Sequence, residues 1–326
     1  MTTVNIIVCT RNRCRSLDET LSAIDRLEVP GGLSVEVVVV DNGSTDETPG
    51  RVERRHLRMA ALRLLRVPVG GKAAALNAAL ASTAGDLVLL LDDDVRPRED
   101  WLRRITEPLL ERRLDAVAGA VVIPAHLQRC WMERPHRVWL ASSEGLDPTA
   151  PDSAIGANMG FARRVLAGVP QFDPRLGPGG LGLWEDTLFS MQLKAAGYSL
   201  GLAADAVVEH HFDPERLTRA SFLARARSEA RSSAYVAWHW RHEDRRWPRT
   251  RIAYYTVRLA LKRSLSAAER PMSEGVARWE MDLVTGIEFE RAYMDERTKP
   301  TRYERFGAAR TGQRADPNAR VHSRTL

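Results

Sequence analysis

Apolar residues recur along the first third of the chain in two alternating rhythms. Runs of consecutive apolar positions, Val4 to Cys9, Val35 to Val40, Leu62 to Val67 and the run ending at Asp92, read as buried strands. Between them, Leu17 to Leu27, Thr45 to His56 and Lys72 to Ser82 carry helical spacing. This order predicts an α/β fold: a Rossmann-like, mainly parallel sheet flanked by helices and joined by right-handed crossovers. Trp101 to Glu111 continues as a helix, Ala116 to Ile123 is apolar again, and Pro124 to Pro151 is looser. Ala154 to Arg163 follows, then a loop from Gln171 to Leu183 whose Gly-Pro-Gly-Gly-Leu-Gly core excludes regular structure. A helix is predicted from Trp184 to Ala196, and short strands at Ser199 to Leu202 and Ala206 to Glu209. After His211 the composition shifts to Ala and Arg, with helices at Pro214 to Trp240, Arg251 to Leu265 and Pro271 to Phe289. The chain thus divides into 1–115, 116–212, a helical C-terminal region 213–298, and a tail 299–326 whose polar composition predicts disorder.

Three strand ends carry polar clusters: Thr10-Arg11-Asn12-Arg13, Asp41-Asn42-Gly43-Ser44 and Asp92-Asp93-Asp94. In a parallel sheet these ends share one edge, where ligands collect. Adjacent carboxylates repel unless a cation is present, and hard ions such as Mg²⁺ or Mn²⁺ take one or two carboxylates plus phosphate oxygens. A metal-bridged nucleotide diphosphate fits that description; a solvated acidic turn is the plainer alternative. Glu185 and Asp186 begin a helix, where the macrodipole alone explains acids. Beside an acidic metal site, a carboxylate of this pair becomes a candidate general base, and the glycines before it would let the loop close over a substrate. His210 or His211, at a strand end, can complete a metal shell. Gly70-Gly71-Lys72 opens a helix of small residues, and its free N–H groups with the lysine suit an anion, although the spacing is not that of a P-loop.

Composition narrows the partners. With 326 residues and 44% hydrophobic content the chain can fill a large core. Its net charge of +6 is interleaved with acids, which argues against a nucleic-acid arm. Cys9, Cys14 and Cys130 have neither disulfide nor zinc spacing and suit a reducing compartment. Without a basic leader or an apolar run of spanning length, the expectation is a cytoplasmic protein. The Arg-rich C-terminal helices offer a surface for peripheral membrane contact, an acidic carrier or a homodimer.

Seven segments in order carry a family resemblance: Val4 to Arg13, Val38 to Asp46, Gly71 to Asn77, Leu91 to Val95, Gly156 to Gly160, Trp184 to Asp186 and Ala206 to His210. Together they resemble the GT-A glycosyltransferases of family 2 over roughly residues 4 to 212. The resemblance implies inverting transfer from a nucleotide sugar, most simply a UDP-sugar carrying GlcNAc or another hexose, to a hydroxyl or amine. It divides the domain into a donor-binding half, 1–115, and an acceptor and catalytic half, 116–212. It places Thr10, Asn12, Arg13, Asp41, Lys72, Asn77, Asp92 and Asp93 on the donor, and Asp94 and His210 on a divalent metal. Asp186 becomes the base and Glu185 its helper. Relatives carry Arg-Asn where this chain has Leu76-Asn77, so Lys72 or Arg13 is expected to supply charge near phosphate. Glu243-Asp-Arg-Arg-Trp247 approaches the Gln-x-x-Arg-Trp motif of processive synthases but has Glu first, which favours single transfer. Trp131, Trp139 and Trp184 are candidates for an acceptor platform. The acceptor reads as a small natural product, free or carrier-bound, or as a lipid-linked or surface glycan. Sugar-phosphate nucleotidyl transfer and noncatalytic nucleotide-sugar binding are the competing readings.

Overall fold

The computed structural model describes residues 1–68, 70–265 and 274–309, and the backbone of 322–323. In chain order the elements are β1 (Thr2–Thr10), α1 (Cys14–Ile24), β2 (Leu33–Asp41), α2 (Thr48–Glu53), β3 (Ala61–Arg66), α3 (Gly71–Ser82), β4 (Leu87–Asp92) and β5 (Val95–Pro97). Then follow α4 (Trp101–Leu110), β6 (Ala116–Val122), α5 (Arg134–Trp139), β7 (Asn158–Ala162), α6 (Glu185–Ala195) and β8 (Leu200–His210). Last come α7 (Arg219–His239), α8 (Pro248–Leu265), α9 (Arg278–Glu296) and the short β9 (His322–Ser323).

The described strands form one sheet in the order β5-β8-β6-β7-β4-β1-β2-β3-β9. The half from β4 to β3 is parallel, as the helical crossovers demand. The other half is mixed, because β7 runs antiparallel between β4 and β6 and β5 runs antiparallel to β8. Alternate residues of the central strands point to opposite faces, each covered by helices. Val4, Ile6, Val8, Leu87, Leu89 and Leu91 pack with α1 and α4, whereas Ile7, Val38, Val40, Val88 and Leu90 pack with α3 and α6.

Several boundaries differ from expectation. The two short strands after α6 are one strand, β8, whose pairing with β6 skips from Ala203 to Val207 at a bulge opposite Gly119 and Ala120. Helix α9 starts at Arg278 and runs to Glu296, later than the expected 271–289. The chain just before it is not helical: Glu274 bridges to Thr218, and Gly275 takes a left-handed φ of +80°. Residues 271–273 lie outside the described residues. The expected tail is packed at its start, since the buried Tyr303 donates to Asp173 Oδ2 at 2.6 Å, as Tyr235 of α7 also does. Residues 310–321 and 324–326 of that tail lie outside the described residues. Through Tyr235, Val236 and Trp240, helix α7 joins a cluster with Leu176 and Leu188, so the C-terminal helices are anchored to the α/β domain.

Candidate active site

Strand register brings the predicted ends together. Thr10 of β1 lies opposite Asp41 of β2, and Cys9 opposite Asp92 of β4. After Asp92 the chain turns through Asp93 and Asp94 into β5, which pairs Val95 with His210, so Asp94 and His210 become neighbours. The His211 N–H donates to the Asp94 carbonyl at 2.7 Å and closes that turn. Across the sheet, Asn158 holds β7 in place: its amide donates to the Ala120 and Ala206 carbonyls at 2.9 and 2.8 Å, while Trp101 donates to its Oδ1 at 2.9 Å.

The acidic turn and the Glu185-Asp186 pair face one cleft of ≈ 770 Å³. Lys72 spans the two groups, with Nζ 2.6 Å from Asp92 Oδ1 and 3.4 Å from Glu185 Oε1. Asp186 is oriented by backbone donors: Gly156 N–H to Oδ2 and Thr187 N–H to Oδ1, both 2.7 Å. A side chain at Gly156 would set its Cβ 3.2 Å from that Oδ2. Trp184 precedes the pair in the left-handed region, at φ +78°, and donates from its indole to Glu229 of α7 at 2.8 Å.

Every acid of the turn is paired with a protein cation, Asp93 and Asp94 sharing one. Asp92 takes Lys72, while Arg13 Nη1 lies 3.2 Å from Asp93 Oδ1 and 2.7 Å from Asp94 Oδ2. Thr10 donates to Asp93 at 2.7 Å. Burial pushes the Asp93 carboxyl up to about 6, against the pull of Arg13 and with a further push from Asp94. Burial would also raise Asp94, but His210, Arg13 and Arg216 hold it well below the usual carboxylate range. Mutual repulsion within the triplet is thus answered by protein cations and does not by itself call for a metal. Burial raises the Glu185 carboxyl to about 7, with Lys72 opposing and Asp186 adding.

The metal test rests on His210. Its Nδ1 is 2.8 Å from the Leu140 carbonyl, which can only accept, so that nitrogen carries the proton. Its Nε2 lies 3.3 Å from Asp94 Oδ1 and 3.3 Å from Arg216 Nη1: a protonated ring donates to Asp94 there, and a neutral ring presents a lone pair. Two acceptors facing each other at that separation suit a shared cation. Among the described residues no group of three or more His, Cys, Asp or Glu side chains closes around a metal. A divalent ion bound here would take two donors from the protein, Asp94 and His210, and would need its other ligands from diphosphate and water.

Of the residues picked from sequence, Thr10, Arg13, Lys72, Asp92, Asp93, Asp94, Trp184, Glu185, Asp186 and His210 line the cleft. Asn77 does not. Its amide is spent on the loop, donating to the Phe172 carbonyl at 2.9 Å and accepting from the Phe172 N–H at 2.8 Å. Asn12, at φ +54°, caps Thr45, and Asp41 accepts from Ser44, so both brace the β2 loop outside the cleft lining. Trp131 packs on His136 and Phe222, and Trp139 joins apolar clusters, which leaves Trp184 as the one expected platform residue in the cleft.

The two glycine segments also behave otherwise than expected, because they pack on each other. The Lys72 N–H donates to the Pro178 carbonyl at 2.9 Å, so it is not free for an anion, and a Cβ on Gly71 would come within 2.5 Å of that oxygen. The loop is already held by Gly180 and Gly182 N–H groups donating to the Gly177 carbonyl.

Two arginines are among the cleft residues that sequence reasoning missed. Arg216 lies 3.8 Å from Asp94 Oδ2, and Arg225 of α7 has no carboxylate within ion-pair distance among the described residues. No sequence signal separated Arg225 from the other arginines of α7.

The family model of Glycosyl transferase family 2 matches residues 5–167, half of the chain. The chain belongs to this family. Its sequence is 28% identical to succinoglycan biosynthesis protein ExoM of Rhizobium meliloti over 233 residues, 69% of this chain and 71% of that protein. It is 33% identical to the beta-monoglucosyldiacylglycerol synthase of Synechocystis over 105 residues, 31% of this chain, and spans only 22% of that enzyme's length. In structure it resembles a mannosyltransferase of Pyrobaculum calidifontis in complex with GDP-Man and Mn²⁺, with TM-score 0.59 and 20% identity over 90% of this chain and 86% of that one. TarS of S. aureus in complex with UDP-GlcNAc matches with TM-score 0.51 and 15% identity over 91% and 92%. These likenesses establish the GT-A fold with its helical C-terminal region. No described helix is long and apolar enough to cross a membrane.

Proposed function

We propose that this glycosyltransferase moves a hexose from a UDP-sugar to an acceptor hydroxyl or amine with inversion, Asp186 taking the acceptor proton. The observation that carries this reading is the single cleft shared by Asp186 and the acidic turn, large enough for a nucleotide sugar. Displacement at the anomeric carbon needs a base on one side and positive charge on the diphosphate side. Asp186, fixed by Gly156 and Thr187, supplies the first. Asp94 and His210 would hold a divalent ion, Mg²⁺ or Mn²⁺, which when bound absorbs charge on the leaving diphosphate. Lys72 and Arg13 are committed to carboxylates, so Arg216 and Arg225 supply the cationic charge facing that group. Glu185 keeps Lys72 between the two halves of the site, and Trp184 offers its face to the acceptor. That its relatives include a beta-monoglucosyldiacylglycerol synthase and a succinoglycan biosynthesis protein favours a lipid or saccharide acceptor over a free small natural product.

Release of free UDP from a UDP-sugar, with no pyrophosphate, tests the reaction against nucleotidyl transfer. Donor binding without turnover on any lipid or saccharide acceptor would leave a noncatalytic binding module.

A further inference from the structure

Helix α8 has an outward face that the transfer chemistry leaves unused. Ile252, Tyr255 and Leu259 turn toward α7 and α9, where they join one apolar cluster. Tyr254, Val257, Leu261 and Leu265, three or four positions apart, therefore project the other way. They are 54%, 58%, 58% and 84% exposed. Thr250, Ala253, Ala260 and Ser264, also exposed, carry no charge. An uncharged, largely apolar strip thus runs the length of a surface helix.

Its flanks are basic. Helix α8 carries five Lys or Arg residues and no acid. Arg251 pairs with Glu290 and Arg263 with Glu280, whereas Arg249, Arg258 and Lys262 have no carboxylate within ion-pair distance among the described residues. From residue 241 to 265 eight basic side chains stand against two acidic ones, a net of +6 that equals the formal charge of the whole chain. At the start of α8 a second cleft of ≈ 670 Å³ is lined by Arg245, Arg246, Arg249 and Arg297 with the exposed Trp247. Arg245 is held by Glu290 and Glu243, but Arg246 and Arg297 have no such partner among the described residues.

We propose that this face of α8 docks on an anionic lipid surface, with Tyr254, Val257, Leu261 and Leu265 in the headgroup and acyl boundary and the surrounding arginines on lipid phosphates. Apolar burial and attraction to anionic headgroups act together on such a helix. A second copy of the chain fits less well, because a twofold contact would set one acid-free basic helix against its own image. Leu223 and Ala226 of α7 share the α8 cluster, and Arg225 on the same turn lines the cleft. Docking would therefore hold the catalytic cleft one helix away from the lipid surface.

The test is flotation of the full chain with vesicles of phosphatidylcholine alone or enriched in phosphatidylglycerol, with UDP affinity as an independent check on the folded site. Binding to the anionic vesicles is expected to exceed that to neutral ones by about tenfold or more, and to weaken as salt is raised. The double variant Val257→Asp, Leu261→Asp should lose flotation while keeping the parent's melting temperature and UDP affinity. Arg249→Glu with Lys262→Glu should lose only the preference for anionic lipid. Equal binding to both vesicle types, no binding, or flotation of the aspartate variant at the parent level would overturn the proposal. So would a parent dimer that the aspartate variant dissociates without any lipid binding, since the face would then belong to a second copy.

Discussion

Trp184 Nε1 donates to Glu229 Oε1 at 2.8 Å, which ties the residue before the acid pair to a helix beyond the family model's span. The bond fixes an indole whose backbone is in the left-handed region, a conformation a bulky side chain keeps only when its surroundings hold it. Helix α7 therefore completes the wall of the cleft beside Glu185 and Asp186.

Glu229→Ala should leave the Trp184 N–H without its acceptor and cost about 1–3 kcal/mol of stability. Turnover should fall by about tenfold as the acid pair shifts, while UDP affinity stays unchanged. Chemical denaturation and calorimetric UDP titration separate the two effects. An unchanged kcat would mean that Trp184 is a packing residue.

Asp186→Asn preserves shape but, with a single acceptor oxygen, keeps only one of the two backbone contacts from Gly156 and Thr187, and it removes the base. We expect kcat to drop by about 10²–10⁴, with donor affinity within about twofold because Asp186 lies on the acceptor side of the proposed reaction. Full turnover with saturating donor and Mg²⁺ would disprove the assignment.

Glu185 gives a pH signature. Its carboxyl is raised by burial from an ordinary 4.5 to about 7, with Lys72 opposing. The folded chain then holds this proton more tightly than the unfolded chain, so its contribution to stability declines as pH rises from about 4.5 to about 7 and is flat above. Glu185→Gln removes the titration. The melting temperature of the variant relative to the parent should rise between pH 5 and pH 8, a constant difference being the contrary result.

Much of this site was legible because period and register are local properties. Consecutive apolar residues fix β1, β2 and β4 as buried strands, and parallel pairing then puts Thr10, Asp41 and Asp92 at one edge whatever the loops do. Which way each polar side chain turns was not legible. Asn77 and Asp41 sit at the right sequence positions, yet their hydrogen bonds go to Phe172 and Ser44, choices made by loops without periodicity. The packing of Gly71 against Pro178 was hidden for the same reason, since two glycine turns far apart in sequence show no sign of touching. Arg225 was hidden differently: on an Arg-rich helix one guanidinium turned into the protein looks in sequence like its solvated neighbours.

That arginine supports the last prediction. Burial pulls the Arg225 guanidinium down to about 10, Arg216 adds repulsion, and the partial counter-pull of Glu229 comes from beyond ion-pair distance. An unpaired cation in such a place costs stability, and its retention makes sense when a ligand supplies the missing anion. Arg225→Gln should therefore leave the free protein as stable as the parent or slightly more so, while UDP binding weakens by about tenfold, the equivalent of one charge-assisted hydrogen bond. Binding titrations with UDP and uridine divide the effect further: if Arg225 faces the diphosphate, uridine affinity is unchanged. Loss of stability with no change in UDP affinity would instead make Arg225 a structural residue of α7, and the positive charge opposite the leaving group would fall to Arg216 alone.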